Sequence, residues 1–255
     1  MMRFVKYFPT PPLQPYIKHF IVSENDCALE YRVFPTAGLV MGFQYQGALS
    51  LVQDCGLSNL DAAGISGISD TYKTFRNSAR IGTLLVFFSE TGFAHFAASP
   101  AHELFDQSIA LQDIFEKNHI IQVQEELSLA GTDIQRIQIM EHFLLSQRKD
   151  IQPDLLVQEA VSLINRCQGS LRIKELNKKL SISPSALEKR FRKVVGTTPK
   201  KFASIVRFNT VLENLSQAES LTELCYEHSF FDQAHFIKDF KQYAGVSPER
   251  FKKSF

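Results

Sequence analysis

Two stretches of the chain decide its fold. One is Ser181-Ile182-Ser183-Pro184, continuing through Leu187 and Phe191 to Val195-Gly196-Thr197-Thr198-Pro199 with Phe202. The other is Ser229-Phe230, continuing through Phe236 and Phe240 to Ala244-Gly245-Val246-Ser247-Pro248 with Phe251. The second repeats the first. Ile173 and Leu176 are matched 48 positions on by Leu221 and Leu224. After one inserted residue, Leu187, Phe191, Gly196, Pro199 and Phe202 are matched 49 positions on by Phe236, Phe240, Gly245, Pro248 and Phe251. In each unit an apolar residue recurs at helical spacing, a glycine sits where a helix would close, and a Ser/Thr-Pro pair opens the next one. Each unit therefore reads as a helix–turn–helix, and a helix from Pro199 to about Leu215 joins them.

A helix–turn–helix lets its second helix enter a DNA major groove, roughly 12 Å wide, where base edges carry an unambiguous donor and acceptor code. That helix needs an apolar face for docking and a polar face for reading. In the first unit Leu187, Phe191 and Val194 are assigned to docking, while Ser185, Glu188, Lys189 and Arg192 share the opposite side. In the second, Phe236, Phe240 and Tyr243 dock, and Gln233, Ala234, His235, Lys238 and Lys241 project. Arg192, Lys193 and Lys241, toward the helix flanks, suit phosphate contacts. Such a helix alone is more often a solvated surface; the duplication and the charge distribution reverse that reading.

The net charge of +1 hides an asymmetry. Residues 151–255 carry 17 Lys and Arg against 11 Asp and Glu, whereas residues 1–150 carry 11 against 16. A basic half joined to an acidic one fits a polyanion partner at one end only.

On these residues, together with Arg207 in the joining helix, residues 151–255 resemble the DNA-binding domain of the AraC/XylS family of bacterial transcription regulators. The most specific set is Phe230, Asp232-Gln233, His235-Phe236, Phe240-Lys241 and Gly245-Val246-Ser247-Pro248. The resemblance implies sequence-specific binding to double-stranded promoter DNA, with base contacts at Ser185, Glu188, Lys189, Gln233, Ala234, His235 and Lys238, and a structural place for Arg207. It also implies RNA polymerase as a partner, a cytoplasmic location and the possibility of a small effector and a homodimer. Ser181 and Ser229 stand where the family usually has glycine, and Asn177 where it has a small alanine.

The N-terminal half has a different texture. Phe20–Val22, Tyr31–Phe34, Leu39–Tyr45, Thr71–Phe75 and Ile81–Phe88 are short and rich in aromatic and β-branched residues, separated by Gly, Asn, Asp and Ser. They predict a small barrel or sandwich over 1–99, and a loose resemblance in order and texture to the regulatory domains of the same family implies a β-barrel-like, cupin-like domain there. Helical spacing follows over 100–148, in Ala101–Phe105, His119–Leu129 and Asp133–Gln147, the last a candidate dimerisation helix or one packed on its own barrel. Phe43, Phe75, Phe87 and Phe88 line either an apolar pocket or plain core. The whole chain is expected to be an α+β protein of two domains, 1–150 regulatory and 151–255 DNA-binding, with a polar linker over Ser146–Pro153.

Other classes fit less well. The apolar run Ile81–Phe88 is far shorter than the roughly 20 residues that cross a bilayer, and no signal peptide is expected. Four scattered cysteines contain no CxxC pair, so reduced thiols are expected rather than disulfides or zinc. Gly64-Ile65-Ser66-Gly67 is not a nucleophile elbow, no phosphate-binding glycine loop occurs, and the histidines have no metal-ligand spacing. No catalytic residue, cofactor or metal is therefore assigned. The alternatives left open are a DNA-binding regulator without an effector and a cupin-like enzyme fused to a DNA-binding domain.

Overall fold

A computed structural model describes residues 2–215, 224–225, 230 and 232–253. The chain begins with ten strands: β1 (Met2–Tyr7), β2 (Ile17–Asn25), β3 (Leu29–Val33), β4 (Val40–Gln46), β5 (Leu49–Gln53), β6 (Gly56–Asn59), β7 (Ala63–Ser66), β8 (Lys73–Asn77), β9 (Ile81–Phe88) and β10 (Ser108–Ala110). They form two antiparallel sheets, one in the order β1-β2-β9-β4-β7-β10 and the other β3-β8-β5-β6. Residues 26–28, 47–48, 60–62 and 78–80 join β2 to β3, β4 to β5, β6 to β7 and β8 to β9, so the small sheet is hinged on the large one by four connections of three residues or fewer. The expected barrel is therefore an open pair of sheets. The strand-rich part also runs past residue 99, because β10 pairs with β7 at the edge of the large sheet.

Residues paired across antiparallel strands share a face. Phe20 and Val22 pair with Val86 and Leu84, which pair in turn with Met41 and Phe43. All six are fully buried. This face is covered by α1 (Lys117–Leu129) and α2 (Asp133–Gln147), with Phe143 of α2 edge-on to Phe43 at 6.2 Å and to Phe115 at 5.5 Å. Phe43 and Phe88 are thus plain core. On α2, Ile137, Met140, Glu141 and Leu144 are buried, but Ile134 is 56% exposed.

A polar network fixes the start of α2. Thr132 closes a capping box with Gln135. The buried Asp133 carboxylate accepts hydrogen bonds from Arg3 and from the Tyr7 hydroxyl at 2.7 Å, and Arg136 lies 3.5 Å away. Burial pushes the Asp133 carboxyl up, but these donors outweigh it and hold it below the usual carboxylate range.

Residues 148–154 carry no regular structure, while Ser146 and Gln147, the first two residues of the expected linker, belong to α2. The helical part then comprises α3 (Leu155–Arg166), α4 (Ile173–Lys179), α5 (Pro184–Val195), α6 (Pro199–Asn214), α7 (Gln233–Ala244) and α8 (Pro248–Lys252) among the described residues. The buried stripe of α3 is Val157, Ala160, Val161 and Ile164, with Leu156 and Leu163 half-buried at its edges. Gly169 closes the turn after α3 at φ +75°. A Cβ there would lie 2.1 Å from the Ala203 carbonyl oxygen, so α3 and α6 approach closely only because no side chain intervenes. One hydrophobic cluster runs without a break from Leu13 in the strand-rich part to Ala244 in the helical part.

Candidate DNA-binding surface

Helices α5 and α7 are built alike. In α5, Ser183 is the N-cap, its hydroxyl accepting from the Ala186 amide, Pro184 takes the first turn, and Gly196 closes the helix at φ +100°. In α7, Asp232 is the N-cap, accepting from the His235 amide at 2.7 Å, and Gly245 closes the helix at φ +75°. Thr198-Pro199 and Ser247-Pro248 then open α6 and α8 in the same way. Ser181, in the turn before α5, does adopt the left-handed conformation, at φ +52°. Ser229 lies outside the described residues.

Leu187, Phe191 and Val195 of α5 are fully buried. Val195 thus takes the docking place expected of Val194, which is half-buried. Phe236, Phe240 and Tyr243 of α7 are buried as expected, and burial pushes the Tyr243 hydroxyl up to about 12. Ser185, Glu188, Lys189, Arg192 and Lys193 are all exposed on α5. So are Gln233, Ala234, His235, Lys238 and Lys241 on α7. Each helix therefore presents a polar face with its apolar face spent on the core.

The pairings among these residues matter to what each can do. Glu188 and Arg192 are one helical turn apart and lie at 3.9 Å, so the carboxylate partly occupies a guanidinium otherwise free for phosphate. His235 faces Asp239 at 3.8 Å, and Asp239 also faces Arg207 of α6 at 3.7 Å. The Arg207 guanidinium lies over the Phe230 ring at 4.2 Å. Arg207 thereby fastens the joining helix to the second unit, which gives its structural place a physical content. Burial pulls it below the usual guanidinium value, with Asp239 opposing.

Sequence reasoning missed three features. Arg190 of α5 turns away from the reading face and binds Asp154 through two hydrogen bonds, at 2.8 and 2.7 Å, while Asp154 also caps α3 by accepting from the Val157 amide. No local spacing signals a pair 36 residues apart. A groove of about 570 Å³ beside the first turn is lined by Ile173, Lys174, Asn177, Lys178, Ser181, Ile182 and Pro184. Asn177 is buried there, and its Oδ1 has no hydrogen-bond partner among the described residues. Lastly, Lys201 at the start of α6 pairs with Asp70 of the strand-rich part.

Among the described residues no helix is long and apolar enough to cross a membrane, and no group of three or more His, Cys, Asp or Glu is placed to hold a metal ion.

The molecule so far is a strand-rich domain followed by one helix–turn–helix unit, the joining helix α6 and a second capped helix, α7, with its closing turn; the expected first helix of the second unit, from about residue 221, lies largely outside the described residues. Residues 176–254 match the family described as a helix-turn-helix domain, and residues 5–110 match a domain of unknown function (DUF6597). The C-terminal region is a helix–turn–helix domain of the AraC type. The chain is 33% identical over 121 residues to the Msm operon regulatory protein of Streptococcus mutans, covering 45% of this chain and 43% of that protein. It is 26% identical over 95 residues to an "uncharacterized HTH-type transcriptional regulator" of Haemophilus influenzae, covering 37% of this chain and 32% of that one. The chain thus spans less than half the length of these curated relatives. Among solved structures, ToxT from Vibrio cholerae overlays with a TM-score of 0.49 and 13% identity, over 89% of this chain and 97% of that chain.

Proposed function

We propose that this protein is a sequence-specific double-stranded DNA-binding regulator of transcription. Residues 151–255 read DNA and residues 1–150 carry control by a small effector or a partner. The observation that carries the reading is the pair of equivalent helices, α5 and α7, each with its apolar face buried and its polar face open. Ser185, Glu188, Lys189, Gln233, Ala234, His235 and Lys238 address base edges, and Arg192, Lys193 and Lys241 address phosphates. Two relatives, one named an operon regulatory protein and the other an HTH-type transcriptional regulator, support the same reading. RNA polymerase, a second copy of the chain and a cytoplasmic setting belong with it.

The test is a salt titration of the full chain on a duplex site selected from random sequence. Log affinity falls linearly with log salt, at roughly −0.9 per phosphate neutralised. Lys241→Ala or Arg192→Ala makes that slope about one unit shallower on every sequence. Gln233→Ala or Lys189→Ala relaxes discrimination at separate base pairs, by about 1–3 kcal/mol each. If Gln233→Ala weakens specific and random duplexes equally, Gln233 positions the helix and does not read.

A further inference from the structure

We propose that the strand-rich domain sets the spacing and orientation of the two reading helices, and that Asp70 and Tyr72 are the positioning residues through which it does so. Both helix–turn–helix units rest on this domain at the same point of the repeat, the turn that follows the reading helix. In the first unit, Gly196 lies against Ala101: a Cβ on it would be 3.1 Å from the Ala101 carbonyl oxygen. Lys201, in the first turn of α6, pairs with the Asp70 carboxylate and lies over the Phe105 ring at 4.4 Å. In the second unit, Gly245 lies against Tyr72, whose ring carbon a Cβ would meet at 2.5 Å. Gln242 donates to the Asp70 backbone carbonyl at 3.1 Å. Arg32, its guanidinium 4.9 Å from the centroid of the Tyr72 ring, donates to the Ala244 carbonyl at 3.5 Å. Asp70 thus receives one contact from each unit, by its carboxylate and by its backbone.

The seat is stiff. The Ser69 hydroxyl accepts from the Thr71 amide at 3.2 Å and donates to the Asp106 carboxylate at 2.8 Å, and the Asp106 amide donates to the Ile68 carbonyl at 2.9 Å. Phe34 adds an apolar wedge between α6 and α8, edge-on to Phe208 at 6.2 Å and to Phe251 at 5.4 Å. Where these contacts touch α5 and α7 they fall at the trailing ends, at Gly196, Gln242, Ala244 and Gly245, and the others reach α6 and α8. The exposed residues Ser185 and Ala234, near their leading ends, are left clear. The domain therefore holds the helices without covering what they present. Helix α6 meets the two units through ring packing and, in the second, the Arg207–Asp239 pair; two seats on one loop add a second, independent constraint on their relative orientation.

The inference takes from the proposed function only the meaning of the held geometry, and its test needs no DNA. Spin labels are placed at Ser185→Cys and Ala234→Cys in the full chain, with Cys27, Cys55 and Cys167 replaced by serine, and the label–label distance distribution is measured by pulsed electron resonance. A single narrow distribution is expected in this parent. The added pair Asp70→Ala and Tyr72→Ala should broaden or split it while far-ultraviolet dichroism stays unchanged. Lys201→Gln, which removes the same ion pair from the other side, should broaden it in the same sense and serves where the double variant does not fold. A broad distribution in the parent, or a parental distribution in the folded variants, overturns the proposal. A failure to bind DNA would leave these distances as they are and would bear on the proposed function alone.

Discussion

At the scale of single residues, Ser181 and Asp133 make opposite contributions to stability. Ser181 holds φ +52° with a Cβ, a conformation that costs an L-residue roughly 1–2 kcal/mol, part of which glycine would return as unfolded-chain entropy. Ser181→Gly is therefore expected to raise stability by about 0.5–1 kcal/mol in urea denaturation, with the reading residues untouched. Asp133 is the opposite case. Its carboxylate is 8% exposed and its Arg3 partner 40% exposed, so screening limits the loss on Asp133→Asn to about 1–3 kcal/mol at pH 7. Because the folded carboxyl titrates below its unfolded value, the contribution is complete above about pH 4 and disappears as the pH falls through the folded value. Wild type and variant should therefore converge in strong acid; a constant difference down to pH 2 would mean the loss is one of packing.

At the scale of elements, α6 decides whether the two units act together. Thr210 sits in its interior, with the hydroxyl bonded back to the Val206 carbonyl at 3.0 Å. Thr210→Pro removes an amide from the ladder and kinks the rod, at about 3 kcal/mol or more. Specific binding should be abolished, while salt-sensitive binding to random duplex survives where the units stay folded. Footprinting of the wild-type monomer should show two adjacent major grooves protected. A 16-residue helix is about 24 Å long, and with the offset of the reading helices the span approaches one DNA turn, roughly 34 Å. This element was legible in the sequence because capping signals are local: Thr198-Pro199 opens it just as Ser183-Pro184 opens α5. The exact coincidence of α2 with Asp133–Gln147 has the same cause, a Thr132 cap before an apolar stripe. Strands β1, β5, β6, β7 and β10 were not legible. β7 and β10 are four and three residues long and β6 (Gly-Leu-Ser-Asn) is fully exposed, so alternation has too few positions to mark them, and β10 becomes a strand only through its long-range pairing with β7. The exposed polar faces of α5 and α7 follow from helical periodicity, whereas Asp154–Arg190 and Asp70–Lys201 join residues far apart in sequence and follow from tertiary packing alone.

At the scale of the molecule, the continuous core has a thermodynamic signature. The strand-rich and helical parts share one apolar cluster and the α5 end packs against Ala101–Leu104. The full chain should therefore unfold in a single calorimetric transition, with equal calorimetric and van't Hoff enthalpies. Two resolved transitions would show that the parts are independent, and the division at residues 150 and 151 would then be one of stability as well as of sequence.

The seat beneath the two turns also bears on how the protein is made. Arg32, Phe34, Asp70, Tyr72, Ala101 and Asp106 all precede residue 107, and the network that completes their domain ends with α2 at Gln147. A chain leaving the ribosome at roughly 5–20 residues per second has its first hundred and fifty residues free well before the second helix–turn–helix has been synthesised. The sheets, whose non-local pairing folds slowly, thus have a head start over the helices, whose local contacts form fast. Each helical unit, as it emerges, meets a finished surface, and the pair is assembled one after the other on a template already in place.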